Sequence, residues 1–207
     1  MPHRAPLRKA AAGAIIAILA VLVLAADQFA KYAAIENLPP ERAVPIFGDF
    51  LQFYLIRNPG AAFSLGEGVT WIFTIALAAV AVAIVWIAAT RLRSRAWAVV
   101  LGLLLGGVLG NLTDRLFREP GFAVGHVVDY ISTPWMMPAI YNIADMFIVT
   151  MMIAVAIIVL VGLRFDGTRE PRKGSDAAAE AEGADTESAA PVSGDDRLVD
   201  PDATTGR

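Results

Sequence analysis

AWAVVLGLLLGGVLGNLTDR, residues 96–115, is the stretch whose reading decides the fold. Residues 96–112 carry no charge. With a turn of flanking sequence they are long enough to cross a hydrocarbon core of about 30 Å, which takes roughly 20 helical residues. Gly102, Gly106 and Gly110 recur every four residues, with Gly107 beside them, giving a smooth stripe on which a second helix packs closely. The run then closes on Asn111, Asp114 and Arg115, whose spacing puts them on one helical face. The stretch reads as a membrane span with polar chemistry at one end.

The rest of the chain repeats that pattern. Residues 10–26, 69–89 and 141–163 are further apolar runs of spanning length. Of the 207 residues, 57% are hydrophobic and 18% charged, whereas charged residues make up roughly a quarter of a soluble domain. The first run follows Arg4, Arg8 and Lys9, as a secretory signal peptide would. It lacks a good small-x-small cleavage site before Asp27 and three more spans follow it, so it is expected to stay as a helix.

Charge is unevenly distributed. Residues 1–165 hold nine acids and twelve bases, whereas residues 166–207 hold eleven acids and five bases among Ala, Gly and Ser. The sequence therefore divides into a four-helix membrane domain, 1–165, and an acidic tail, 166–207, too poor in large apolar residues to offset the entropy of ordering. Arg4, Arg8 and Lys9 precede span one, Arg91, Arg93 and Arg95 join spans two and three, and Arg164, Arg169, Arg172 and Lys173 follow span four. All three clusters fall on one side of a four-span arrangement, which makes that side, both termini and the tail cytoplasmic. Trp71, Trp86, Trp97 and Trp135 fall near span ends, where an amphipathic ring suits the headgroup level.

Residues 27–68 and 113–140 then lie outside. In the first, Leu51, Phe53 and Leu55 alternate with Gln52 and Tyr54, and Asn58, Pro59 and Gly60 precede AAFSL. Period-two alternation with a turn predicts a small β-hairpin over residues 43–66, lying on the outer membrane surface. The expected fold class is thus membrane all-α, four transmembrane helices with a small extracytoplasmic β element.

Chemistry must come from few residue types. With no cysteine there is neither a disulfide framework nor a thiol nucleophile, and His3 and His126 cannot make an HExxH zinc site. No metal, cofactor or nucleic-acid partner is expected. The unusual polar residues gather at the outer end: Asp27 and Lys31 after span one, Asn111, Asp114 and Arg115 at the end of span three, Asn142 and Asp145 at the start of span four, and Asn58 and Asp129 in the outer segments.

Several of these have a purely structural explanation. Asp145, in the first turn of span four, is favoured by the helix dipole. Asp27 and Asp114 are expected at helix C-termini, where negative charge is disfavoured, so Lys31 and Arg115 are their expected partners. Asp129 has no such explanation. Flanked by Val127, Val128, Tyr130 and Ile131, it sits on an apolar strand, where a carboxylate must be solvated, paired or used. Two neighbouring carboxyls cannot both ionise easily; one keeps a proton while the other pulls on water, which is aspartic protease chemistry.

The elements DQFAK (27–31), NPGAAFS (58–64), GGVLGNLTDR (106–115), VVDYI (127–131) and YNIAD (141–145), in that order, resemble the lipoprotein signal peptidase family, also called signal peptidase II. Each is weak alone; five together are specific. Val108 stands where the family often has Ala, and Tyr130 and Tyr141 where Phe is usual. The resemblance implies an intramembrane aspartic endopeptidase of the bacterial cytoplasmic membrane, acting at its outer face as a monomer among membrane lipids. Its substrate would be a prolipoprotein, cut just before a cysteine that already carries diacylglycerol. It further implies that Asp129 and Asp145 are catalytic, that Asn58, Asn111, Arg115 and Asn142 bind substrate or orient the pair, and that Asp27, Lys31, Asp114 and Gly110 support the site.

Three rivals use the same residues differently. A serine and lysine protease would use Ser64 and Lys31, but Asp27 one turn away keeps Lys31 charged, which is wrong for a base. A proton-coupled transporter predicts acids toward mid-span rather than at one end. A non-catalytic scaffold needs the glycine stripe and no convergence of acids.

Overall fold

The computed structural model describes residues 7–60 and 69–169. Four helices are long and apolar enough to cross a membrane: α1 (Lys9–Asn37), α2 (Thr70–Thr90), α3 (Arg95–Phe117) and α4 (Ile143–Leu160). The chain is a multi-pass membrane protein. Helix α3 is the axis: it is the most buried of the four and packs on α1, α2 and α4. Its glycines explain how. A Cβ at Gly106 would stand 2.5 Å from Val23 Cβ, and one at Gly102 would stand 3.0 Å from Ile16 Cα, so the stripe lets α1 and α3 meet at backbone distance. Gly107 does the same toward α4, where a Cβ would stand 2.7 Å from the Ala144 carbonyl.

Two expected boundaries change. Helix α1 runs eleven residues past 26, to Asn37, so Asp27 and Lys31 are interior to it and the C-terminal dipole argument does not apply to Asp27. Both are fully buried. Helix α4 starts at Ile143 rather than 141, and Asn142 is its N-cap. There Asn142 Oδ1 accepts from the Asp145 N–H and Asp145 Oδ2 from the Asn142 N–H, a reciprocal capping box. Their three-residue spacing is that of an N-cap and its N3 partner.

The sheet also differs from the expected hairpin. Strands β1 (Ala43–Phe47) and β2 (Leu51–Asn58) pair around a turn at residues 48–50, where Gly48 takes a positive φ of 55°. The turn is thus earlier than Asn58, Pro59 and Gly60, and the AAFSL arm lies outside the described residues. The second edge of β2 pairs antiparallel with β3 (Val127–Ser132), which pairs with β4 (Ile140–Tyr141). One sheet, in the order β1-β2-β3-β4, stitches together both excursions that leave this end of the helices. Its inner side packs Leu55, Val128 and Tyr130 against Ala34 of α1. The opposite end is closed by residues 161–169, which turn back through a Leu163 to Arg169 bridge and set Phe165 against Trp97 at 4.5 Å. Trp97 is accordingly buried, with its Nε1 donating to the Leu163 carbonyl, instead of lying at the headgroup level. The acidic tail from residue 170 onward lies outside the described residues.

Candidate active site

Asp129 and Asp145 arrive from different elements and line one cavity of about 620 Å³. Strand alternation turns Asp129 to the side opposite Val128 and Tyr130, into that cavity, while the capping box presents Asp145 from the first turn of α4. Asp129 is 2% exposed; Asp145 is partly exposed. Asn58, Asn111 and Arg115 line the same cavity, whose remaining walls are apolar, with Phe73 and Leu77 from α2, Met136 and Met137 from the β3–β4 loop, and Met146 and Val149 from α4.

Four amide N–H groups hold the two carboxyls. Asn58 Nδ2 donates to Asp129 Oδ2 at 2.8 Å and Asn142 Nδ2 to Asp129 Oδ1 at 2.7 Å. Asn111 Nδ2 donates to Asp145 Oδ1 at 2.7 Å, and the Asn142 backbone N–H to Asp145 Oδ2 at 3.1 Å. Asn142, fully buried, thus touches both acids. The Asp129 carboxyl is pushed up to about 7, first by burial and next by the nearby Asp145; the hydrogen bonds from Asn58 and Asn142 and the Lys31 charge act the other way. Such a group exchanges its proton near neutrality.

Behind this pair lies a second, different pair. Lys31 Nζ stands 2.9 Å from Asp27 Oδ2 and 2.9 Å from Asp114 Oδ2, all three side chains fully buried. The remaining oxygens are engaged as well. Asp27 Oδ1 accepts from the Ala144 N–H in the first turn of α4, and Asp114 Oδ1 from Arg118 and Gln28, while Asp114 Oδ2 accepts in addition from the Val128 N–H of β3. The cluster therefore locks α1, α3, α4 and β3 at the level of the cavity. Gly110 makes room for it, since a Cβ there would stand 2.6 Å from Asp27 Oδ2.

Arg115 is placed otherwise than as the partner of Asp114. Its guanidinium donates to the carbonyls of Asn58, Pro59, Gly60 and Gly125, clamping the chain that leaves β2 to the loop before β3. Besides Lys31, the cation paired with Asp114 is Arg118, at 2.6 Å and one helical turn on. Sequence reasoning also missed Gln28, which donates to Asp27, Asp114 and the Gly110 carbonyl, although it sits inside DQFAK. The Asp114 to Arg118 spacing of four was a legible signal for that ion pair. Ser64 lies outside the described residues. Among the described residues no cluster of three or more His, Asp or Glu side chains is arranged to hold a metal ion.

Known proteins resemble this chain over most of its length. Residues 19–161 match the family model described as signal peptidase (SPase) II. The lipoprotein signal peptidase of Leifsonia xyli subsp. xyli (strain CTCB07) is 47% identical over 169 residues, covering 81% of this chain and 77% of its own length. That of Rhodococcus jostii (strain RHA1) is 46% identical over 153 residues, covering 74% and 76%. A solved bacterial membrane enzyme, determined by the in meso method at 2.3 Å resolution, superposes with a TM-score of 0.65 at 27% identity, over 76% of this chain and 93% of that one. With the family model spanning most of the membrane domain and both carboxyls inside the matched region, the chain belongs to the signal peptidase II family.

Proposed function

We propose that Asp129 and Asp145 are the catalytic pair with which this signal peptidase II, an aspartic endopeptidase, removes the signal peptide from prolipoproteins. The observation that carries it is the convergence of two carboxyls from separate elements on one cavity, tied together through Asn142. Asp145, the more exposed acid, is the carboxylate that takes a proton from water; Asp129, whose burial keeps it protonated up to about neutral pH, is the acid. Water oxygen bonds to the scissile carbonyl carbon while the Asp129 proton goes to the carbonyl oxygen. The C–N bond then breaks as the leaving amine takes the proton gathered by Asp145, while one hydroxyl of the tetrahedral intermediate returns its proton to Asp129 and the carbonyl re-forms. Asn58, Asn111 and Asn142 hold the two acids in register, and Arg115 holds the chain at the cavity rim.

The substrate is a diacylglyceryl-modified prolipoprotein, cut just before its lipidated cysteine. Support comes from the apolar walls contributed by α2 and α4, which suit a peptide bond presented from within a bilayer by its own lipid. The cavity faces the extracytoplasmic side of the cytoplasmic membrane. Support comes from the bases at the other end of the helices, Arg8 and Lys9 at the start of α1, Arg91, Arg93 and Arg95 where α2 passes into α3, and Arg164 and Arg169 after α4. Residues 1–165 form the peptidase domain, acting as a monomer, and residues 166–207 are a separate acidic cytoplasmic tail.

Lys31 argues against the serine and lysine alternative, because its buried Nζ is committed to Asp27, Asp114 and Asn111 rather than offered to a hydroxyl. The test is cleavage of a lipidated prolipoprotein in vesicles by Asp129→Asn and Asp145→Asn. Each is expected to insert normally and to be inactive; full turnover by either would dispose of the pair.

A further inference from the structure

Lys31 does more than its two salt bridges require. An ammonium has three N–H groups and no acceptor. Two go to Asp27 and Asp114, and the third goes to Asn111 Oδ1 at 2.9 Å. The two ends of an asparagine amide are nearly the same size, so packing alone fixes poorly which end faces where. A donor-only group can face only the oxygen. With Oδ1 held by Lys31, Asn111 Nδ2 must face Asp145 Oδ1.

The same polarity continues through Asn142. Its Nδ2 lies 3.2 Å from Asn111 Oδ1 and 2.7 Å from Asp129 Oδ1, while its own Oδ1 accepts from the Asp145 N–H. A direction of hydrogen bonding set at Lys31 is thus passed through two amides and ends as one N–H on each acid.

We propose that Lys31 is a positioning residue of the peptidase reaction: by fixing the orientation of the Asn111 amide it directs donors onto Asp145 and, through Asn142, onto Asp129, while touching neither acid. This rests on the assignment of those two acids to catalysis. If Lys31 served only to neutralise Asp27 and Asp114, the contact to Asn111 would have no consequence for turnover. With the ammonium gone, the Asn111 amide can turn and set its oxygen against the Asp145 carboxylate, two acceptors facing one another.

The test compares Lys31→Gln and Lys31→Arg with the unaltered enzyme, reading kcat, KM and the pH–rate profile on a lipidated peptide. The charged and titratable groups around Asn111 are Asp27 and Lys31 on α1, Asp114, Arg115 and Arg118 on α3, Asp129 and Tyr130 on β3, and Asp145 on α4. Lys31→Gln is expected to lower kcat about 10- to 100-fold, the usual cost of misplacing a reacting group by about an ångström, with KM little changed. It should also move the alkaline arm of the profile to higher pH, because loss of a nearby cation raises the Asp129 carboxyl. Lys31→Arg, which restores a cationic donor, should return the arm to its original position.

Should Lys31→Gln fail to accumulate, Lys31→Gln combined with Asp114→Asn keeps the net charge of the cluster and carries the same kcat measurement. A folded variant lacking the ammonium with unaltered kcat and KM would overturn the proposal. Asp145→Asn, measured alongside, separates the two levels: if it is inactive while Lys31→Gln is unimpaired, only the positioning role falls, whereas an active Asp145→Asn removes the assignment beneath it.

Discussion

Two pairs of aspartates stand back to back in this protein and are treated in opposite ways. Asp27 and Asp114 share the ammonium of Lys31, with Arg118 on the outer side of Asp114. Asp129 and Asp145 are held instead by the side-chain amides of Asn58, Asn111 and Asn142 and the Asn142 backbone N–H. A cation at contact distance in a buried site fixes a carboxylate in its charged form, while neutral amides orient it and leave its proton exchangeable. Nearly the same residue types therefore yield a permanent brace in one place and an acid and base in the other. What separates them is the partner.

The largest effect should come from removing the exchangeable protons. Asp129→Asn and Asp145→Asn are each expected to cost at least about a thousand-fold in kcat/KM, and the double variant should be no worse than either alone, because residues that act as a unit are not additive. If the two losses multiply in the lipidated-peptide assay, the acids act independently and the contrast between the pairs dissolves. Next comes the brace. Asp114→Asn leaves a buried Lys31 with one acid fewer and takes a charged partner from Arg118, which is expected to cost about 3–5 kcal/mol of stability. A denaturant titration in detergent showing no change would mean that the cluster is not the brace its geometry describes. Smaller again is Gly110→Ala, whose new Cβ would press on Asp27 Oδ2 at 2.6 Å. Overpacking there should cost about 1–3 kcal/mol, read in the same titration.

The contrast between the pairs also marks how far the sequence could be read. All four helices were legible as apolar runs of spanning length, and Asp129 as a carboxylate on a short strand, because hydropathy and period-two alternation are local properties. The end of α1 was not legible. Asp27 and Lys31 look like the edge of a span, since a lone charge inside one costs about 2.5–3.5 kcal/mol. They lie inside the helix because Asn111 and Asp114, eighty or more residues away in sequence, complete the hydrogen bonding of the Lys31 ammonium. The same distance hid the sheet: β2 pairs with β3 across a gap that contains α2 and α3, and nothing local in Leu51–Asn58 names that partner. Arg115 was misassigned for a related reason. Adjacency to Asp114 suggested an ion pair, yet neighbours in a helix point in different directions, so Arg118 one turn on takes the acid and Arg115 is left to grip the loop.

The finest test is one of pH, since the Asp129 carboxyl is raised toward neutrality. Asp129 has its folded value raised to about 7 from the ordinary 3.8, so between those limits the folded chain binds more protons than the unfolded one. Its contribution to stability therefore declines as pH rises from about 4 to 7 and levels off above, the reverse of a salt-bridged aspartate. Asp129→Asn cannot ionise and should flatten that decline. In the rate profile the proton that Asp129 donates becomes scarce above about 7, so kcat/KM is expected to fall about tenfold for each further pH unit, a loss of about 1.4 kcal/mol per unit. The measured arm belongs to the coupled pair, and a substrate that buries Asp129 further moves it upward in kcat relative to kcat/KM. A profile flat from pH 6 to 9 would show that Asp129 exchanges no proton near neutrality, and the acid role assigned to the amide-held pair would fail.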